Sequence, residues 1–162
     1  MIQRTLQKVL EQYMGKGKAI LLIGARQVGK STLFQMLTDK VAEDKIVWLN
    51  CDLQNVREML TNPLMTNLQL LTTDKEVVVV DEAQRVENIG LVLKLIADNF
   101  PHVQLLVTGS SALDLHNRLN EPLTGRKIEY HLYPLSTGEL FAAKGFMAMG
   151  ELLERRMIYG SY

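Results

Sequence analysis

One segment limits the possible folds of this chain more than any other. Its sequence is Gly24-Ala25-Arg26-Gln27-Val28-Gly29-Lys30-Ser31. It fits the pattern G-x-x-x-x-G-K-[ST] and directly follows an apolar run at residues 19–23. A buried strand that turns through glycines into a helix aims backbone N–H groups and the positive end of the helix dipole at one spot. Such a spot suits a triphosphate, so the segment predicts a phosphate-binding loop. The alternative is a glycine turn with a surface lysine.

Two side chains of this loop have specific predicted roles. Lys30 is expected to reach the β- and γ-phosphates, and the Ser31 hydroxyl is expected to be a ligand of Mg²⁺. Arg26 either adds charge near the phosphates or is a solvated loop residue. The candidate nucleotide-binding residues are Gly24, Ala25, Arg26, Gln27, Val28, Gly29, Lys30, Ser31 and Thr32.

A second feature is the β-branched run at residues 77–80, which ends in Asp81 and Glu82. An apolar run without alternation is typical of a strand buried on both faces in a parallel sheet. Its acids then lie at the carboxyl end, where ligands bind in open α/β sheets. Asp81 is predicted to hold Mg²⁺ through its water shell, and Glu82 to orient or deprotonate an attacking water. The alternative is that the two acids cap the next helix.

Further polar residues adjoin two other predicted strands. Thr108 is predicted to sense the γ-phosphate or the attacking water, whereas Ser110 is equally well explained as a helix N-cap, a role that Ser111 also fits. Arg126 precedes the last strand and is predicted to stabilise phosphate charge, in its own subunit or a neighbouring one. A surface ion pair explains Arg126 at least as well.

Composition limits the function classes. Lysine plus arginine equals aspartate plus glutamate, 18 each, so bulk charge neither supports nor excludes a nucleic-acid partner. The single cysteine, Cys51, rules out an internal disulfide and belongs to no metal-binding pattern. No apolar stretch approaches the roughly 20 residues that span a membrane, and the N-terminus lacks a signal-peptide pattern, so no membrane partner is expected.

The periodicity alternates strand and helix along most of the chain. This pattern predicts one α/β domain, a three-layer sandwich around a mostly parallel five-stranded sheet, with the last strand near the sheet edge. No element is assigned to the Pro63-containing segment that runs to Leu71. Predicted strands cover residues 19–23, 46–49, 77–80, 103–107 and 128–132, and predicted helices cover residues 2–14, 30–41, 53–60, 91–100, 136–145 and 149–156.

Taken together, these motifs resemble the prokaryotic AAA+ superfamily ATPases that carry a C-terminal domain of unknown function. The matching segments are Gly24 to Ser31, Asp81-Glu82-Ala83-Gln84, Leu106-Val107-Thr108-Gly109-Ser110-Ser111, Gly125-Arg126, Leu132-Tyr133-Pro134-Leu135-Ser136 and Tyr159-Gly160-Ser161-Tyr162. The resemblance covers nearly the whole chain. It implies that the acidic strand lies next to the strand ending at Thr108, that the ligand is an adenine nucleotide, and that the protein is cytoplasmic.

The chain departs from this family after the ATPase core. Neither a complete helical lid nor a C-terminal domain follows Tyr162, so residues 1–162 are expected to be a P-loop ATPase core cut from a longer protein or a truncated reading frame. A homo-oligomer, or a protein partner bound through the missing domain, is therefore expected only of the longer protein.

The leading functional hypothesis is binding and hydrolysis of ATP with Mg²⁺, coupled to a conformational change. A slow nucleotide-binding signalling switch is the first alternative, and a P-loop phosphotransferase is the second. A GTPase is disfavoured because the Asn-Lys-x-Asp motif is absent. A DNA-associated ATPase is neither supported nor excluded by the neutral overall charge.

Overall fold

The computed structural model describes residues 2–110 and 123–145. Its strands are β1 (Ala19–Ile23), β2 (Ile46–Asn50), β3 (Val77–Asp81), β4 (Gln104–Gly109) and β5 (Lys127–His131). Its helices are α1 (Thr5–Glu11), α2 (Lys30–Thr38), α3 (Gln54–Thr61), α4 (Met65–Thr72), α5 (Ile89–Asn99) and α6 (Thr137–Lys144). Three parts of the sequence prediction lie outside the described residues: the helix over residues 149–156, the residue Ser111 and the segment 159–162.

The five strands form one sheet in the order β2-β3-β4-β1-β5, and every neighbouring pair is parallel. The predicted α/β class with a five-stranded parallel sheet is confirmed. β3 pairs with β4, as the resemblance implied, and β5 lies at the edge next to β1. Because parallel strands all end on the same side, the loops after β1, β3 and β4 meet along one edge of the sheet.

Helices cover both faces of the sheet, because successive strand residues point to opposite sides. One core joins Leu21, Val78 and Val107 of the sheet to residues of α3, α4 and α5. The other core joins Ile20 and Val79 to residues of α1 and α2. Strands β1 and β3 are therefore buried on both faces, which explains their unbroken apolar runs. Three layers result, as the sequence predicts.

Helix boundaries differ most from the sequence prediction. Helix α2 ends at Thr38 rather than at residue 41, and the Thr38 hydroxyl donates to the carbonyl oxygens of Phe34 and Gln35 in the last turn. Helix α4 was not predicted. Leu64 and Leu70 are exposed while Leu68 is buried, so apolar residues surround this helix and hide its periodicity. Within the described residues, no helix combines the length and the apolar character needed to cross a bilayer.

Candidate functional site

The loop between β1 and α2 has the conformation that a phosphate-binding loop requires. Gln27 and Gly29 both have left-handed backbone angles, with φ of 64° and 92°, and α2 begins directly after Gly29. At Gly24 the strand β5 region approaches so closely that a Cβ atom would lie 2.2 Å from the carbonyl oxygen of Leu132. Glycine at this position is thus demanded by packing, and the loop is held against the end of β5.

Lys30 lies buried at the start of α2, facing the loop. Its Nζ donates to the carbonyl oxygens of Gly24 and Ala25, at 2.9 Å each, and lies 3.8 Å from Oε1 of Glu82. Burial lowers the pKa of Lys30, whereas the carboxylates of Glu82 and Asp81 oppose that shift, and the nearby charge of Arg26 adds to the lowering. The lysine therefore bridges the loop and the acidic pair, rather than lying on the surface as the alternative proposed.

Asp81, the last residue of β3, connects the loop to strand β4. Its Oδ2 accepts a 2.8 Å hydrogen bond from the Ser31 hydroxyl, and its Oδ1 accepts one from the hydroxyl of Thr108. Thr108 is fully buried and in turn accepts from the backbone N–H of Glu82 at 3.0 Å. The hydroxyl and carboxylate oxygens of Ser31 and Asp81 are hard donors of the kind that Mg²⁺ prefers, so these residues fit that ion.

Glu82 does not act as a helix cap. It has a left-handed backbone, with φ of 53°, and its side chain caps no backbone N–H of the short 3₁₀ turn that comes next. Instead, its Oε2 accepts a 2.6 Å hydrogen bond from Nε2 of Gln84, which also lies 2.7 Å from the Ser110 hydroxyl. The carboxylate is thus oriented between Lys30 and Gln84, at the carboxyl ends of β3 and β4. The segment that Ser110 was expected to cap lies outside the described residues.

The remaining candidates near the loop are exposed. Ala25, Arg26, Gln27 and Thr32 are open to solvent, whereas Val28 is buried. An adjoining cavity of about 310 Å³ has loop residues on one side and apolar side chains on the other. It is lined by Ile2, Arg4, Gln27, Val28, Gly29, Thr32, Leu33, Met36 and Leu135. The cavity is largely apolar and lies next to the loop.

Arg126 is not brought to this site. It precedes β5, and its neighbour Lys127 pairs with Ala19 at the start of β1, whereas the loop follows the end of β1. A strand of five residues, about 16 Å at 3.3 Å per residue, therefore separates Arg126 from the loop within one subunit. Its Nε lies 2.8 Å from Oδ1 of Asp98, and the side chain is 48% exposed. This arrangement is the surface ion pair that the sequence left as the alternative.

Sequence reasoning missed Arg4 as a functional residue. Its guanidinium is buried and donates to the carbonyl oxygen of Val28, in the phosphate loop, at 2.8 Å. Gln84 was quoted only as part of a motif, without a role. No local sequence signal marks Arg4, because its partners Val28 and Glu139 are 24 and 135 residues away in the chain.

Comparisons with known proteins agree with this geometry. A family model described as AAA domain matches residues 16–141 of the chain. An uncharacterized protein of Haemophilus influenzae is 26% identical over 156 residues, and the match covers 88% of this chain but only 37% of that protein. The chain thus spans little more than a third of the length of this curated relative.

Two solved structures share the fold. The ORC1 protein of Aeropyrum pernix, in complex with DNA, superposes with a TM-score of 0.60 at 15% identity, covering 90% of this chain and 48% of that one. PCH-2 of C. elegans superposes with a TM-score of 0.56 at 17% identity, covering 98% of this chain and 48% of that one. Identities this low carry the fold alone, but the family model spans most of the sequence. The chain belongs to the AAA domain family.

Proposed function

We propose that the protein binds ATP with Mg²⁺ at the loop of residues 24–32 and hydrolyses it, coupling nucleotide state to a conformational change. The observation that carries this proposal is the convergence of Lys30, Ser31, Asp81 and Glu82 at one edge of the sheet, joined by the 2.8 Å Ser31–Asp81 hydrogen bond. Family membership supports a P-loop ATPase type of function. ATP hydrolysis, adenine specificity and cytoplasmic residence are parts of the proposal.

Each residue has a role that follows from its chemistry. The backbone N–H groups of the loop and the Lys30 ammonium hold phosphate oxygens, since both are donors at the N-terminus of α2. Ser31 and Asp81 hold Mg²⁺, which when bound spreads the negative charge of the phosphates. Glu82 accepts a proton from an attacking water, and Thr108 fixes Asp81 and the Glu82 backbone in position. The cavity beside Leu33 and Met36 receives the base.

Arg126 enters this proposal only across a contact between subunits, because the sheet separates it from the loop of its own chain. A homo-oligomer, a C-terminal domain and a protein partner are likewise proposals that concern a longer protein. The ORC1 structure contains DNA, yet the neutral charge of this chain provides no bulk attraction for a nucleic acid.

A slow nucleotide-binding switch is the second candidate. The contacts of the Glu82 carboxylate favour this candidate. Its Oε1 lies 3.8 Å from Lys30 Nζ, and its Oε2 accepts a 2.6 Å hydrogen bond from Gln84 Nε2. A carboxylate whose two oxygens already contact a cation and a donor has less freedom to orient an attacking water. Steady-state release of phosphate separates this switch from the ATPase.

The test is the variant Glu82→Gln, which keeps the shape of the side chain and removes its basicity. We expect phosphate release to fall at least about 100-fold, because a general base contributes that much, with Mg-ATP affinity within about threefold of wild type. Glu87→Gln is the matched control, since Glu87 is exposed and lies only five residues further on; its turnover should equal that of wild type. Wild-type turnover in Glu82→Gln would refute the catalytic role of Glu82. Binding without any turnover in the wild type would favour the switch.

A further inference from the structure

Arg4 is the centre of a hydrogen-bond network that no motif includes, and it precedes the segment matched by the family model. The side chain is 8% exposed, although arginine is seldom buried unless it is paired. Its Nη1 donates to Val28 O at 2.8 Å, its Nη2 to Tyr133 O at 2.5 Å, and its Nε to Glu139 Oε1 at 3.2 Å. One guanidinium thus joins the phosphate loop, the segment after β5, and helix α6.

The bond to Val28 fixes the direction of a loop donor. A trans peptide bond is planar, so the carbonyl of Val28 and the N–H of Gly29 point in opposite directions, and the described residues contain no cis peptide bond. When Arg4 holds the Val28 oxygen, the Gly29 N–H is turned away from Arg4. The two neighbours, Gln27 and Gly29, are both left-handed, a conformation that costs a non-glycine residue about 1 kcal/mol and needs outside support.

The other end of the network is Glu139, in the first turn of α6. Its carboxylate accepts from the backbone N–H groups of Thr5 and Ser136, at 2.8 Å each, as well as from Arg4. Ser136 accepts from the N–H of Glu139 in return, which completes a capping box. The start of α6 therefore cannot shift without changing the bonds of Arg4.

We propose that Arg4 is a positioning residue that orients the Gly29 N–H toward a bound phosphate and couples the occupancy of the loop to the start of α6 through Glu139. The inference rests on the proposed nucleotide binding at this loop. Its consequence is a route by which nucleotide state reaches the part of the chain beyond β5. Reciprocity of coupling requires that a change at α6 also alter nucleotide affinity.

The test measures Mg-ADP affinity by calorimetry and the amide hydrogen exchange of Thr137–Lys144 with and without Mg-ADP. In the wild type, Mg-ADP should slow this exchange at least about fivefold. Arg4→Met should weaken Mg-ADP binding at least about tenfold and abolish the slowing. Glu139 does not line the cavity next to the loop. Glu139→Gln should nevertheless weaken Mg-ADP binding about threefold and also abolish the slowing of exchange.

Glu129→Gln is the matched control, because Glu129 forms an ion pair with Lys127 on β5, at 3.1 Å. It should keep wild-type affinity and wild-type slowing. Each variant is first shown to be folded by circular dichroism, and if Arg4→Met is not folded, Glu139→Gln decides. Wild-type slowing in Glu139→Gln, or wild-type affinity in folded Arg4→Met, would overturn the coupling. Wild-type protein that binds no Mg-ADP would instead overturn the proposed function and this inference with it.

Discussion

A cluster at the carboxyl end of the parallel sheet and an ion pair at its amino end hold charged groups in different ways. At the carboxyl end, Lys30, Asp81, Glu82 and Thr108 contact one another and are largely buried. At the amino end, the described ion pair between Arg126 and Asp98 is half exposed, with side-chain exposures of 48% and 36%.

The two sets of charged groups differ in how far they are removed from water, and therefore in the partners that they need. A buried charge costs several kcal/mol unless partners compensate for it, so a cluster of buried polar groups has to be connected. An exposed pair is hydrated in either state and contributes about 0–1 kcal/mol. The cluster of Lys30, Asp81, Glu82 and Thr108 is therefore preorganised, whereas the pair of Arg126 and Asp98 tolerates change. Substitutions at Gly24, Glu139 and Arg126 test that contrast.

The largest effect is expected for Gly24→Ala. The new methyl group would overlap the backbone carbonyl of Leu132 at 2.2 Å, and a backbone atom cannot move aside as a flexible side chain can. Unfolding in urea should show a loss of about 3 kcal/mol. Gly138→Ala is the control, since its nearest contact, Ser136 Oγ, is 3.9 Å away; in helix α6 it should be neutral or stabilising by up to about 1 kcal/mol. Equal stability of the two variants would contradict the close packing of Gly24 against Leu132.

The second effect concerns pH and Glu139. Burial alone raises the pKa of Glu139, but hydrogen bonds from Ser136 N and Thr5 N and the charge of Arg4 outweigh it and lower the pKa to about 2. Because the folded pKa lies below the unfolded value of about 4.3, the carboxylate stabilises the fold above pH 5, and this contribution is lost as the pH falls toward 2. Its size is up to about 3 kcal/mol.

The measurement is the free energy of unfolding in urea at pH 7 and at pH 3. Glu139→Gln should reduce the loss of stability on acidification, since the variant has no carboxylate to protonate. The same pH dependence in wild type and Glu139→Gln would exclude Glu139 as the source.

The smallest effect is expected for Arg126→Ala. Removing an exposed ion pair should change stability by less than about 1 kcal/mol and Mg-ATP affinity by less than about twofold. A calorimetric titration and a urea unfolding curve measure both. A tenfold loss of affinity would erase the contrast between the two ends of the sheet. A loss of turnover alone, restored by mixing with Glu82→Gln protein, would point to a role across subunits.

Much of the fold could be predicted from the sequence, because the inner strands β1, β3 and β4 are buried on both faces. Unbroken apolar runs at residues 19–23 and 77–80 mark central strands, and the phosphate-loop pattern predicts a turn and a helix directly after β1. Helix α4 could not be predicted, since its exposed leucines conceal the buried side. For a helix at the surface, a local pattern indicates burial only where the buried and exposed sides differ in polarity.

The candidate site was predictable only in part. Lys30, Ser31, Asp81 and Glu82 follow motifs with fixed spacing, and the structure brings them together. Arg4 lies 24 residues from Val28 and 135 from Glu139 in sequence, so no local pattern links it to its partners. Arg126 shows the opposite limitation. The sequence predicts only a mostly parallel sheet, so it does not reveal whether the last strand runs parallel to β1, and that direction decides at which end Arg126 lies.

The most direct test of the central claim, that the loop after β1 binds a nucleotide, is the melting temperature of the protein with and without Mg-ATP. At a hundredfold excess over the dissociation constant, binding should add about 2.7 kcal/mol and raise the melting temperature by about 5–10 °C. Lys30→Ala should lose most of this increase, whereas Lys40→Ala, which changes an exposed lysine just after α2, should retain it. An unchanged melting temperature of folded, nucleotide-free wild-type protein in millimolar Mg-ATP would contradict the account.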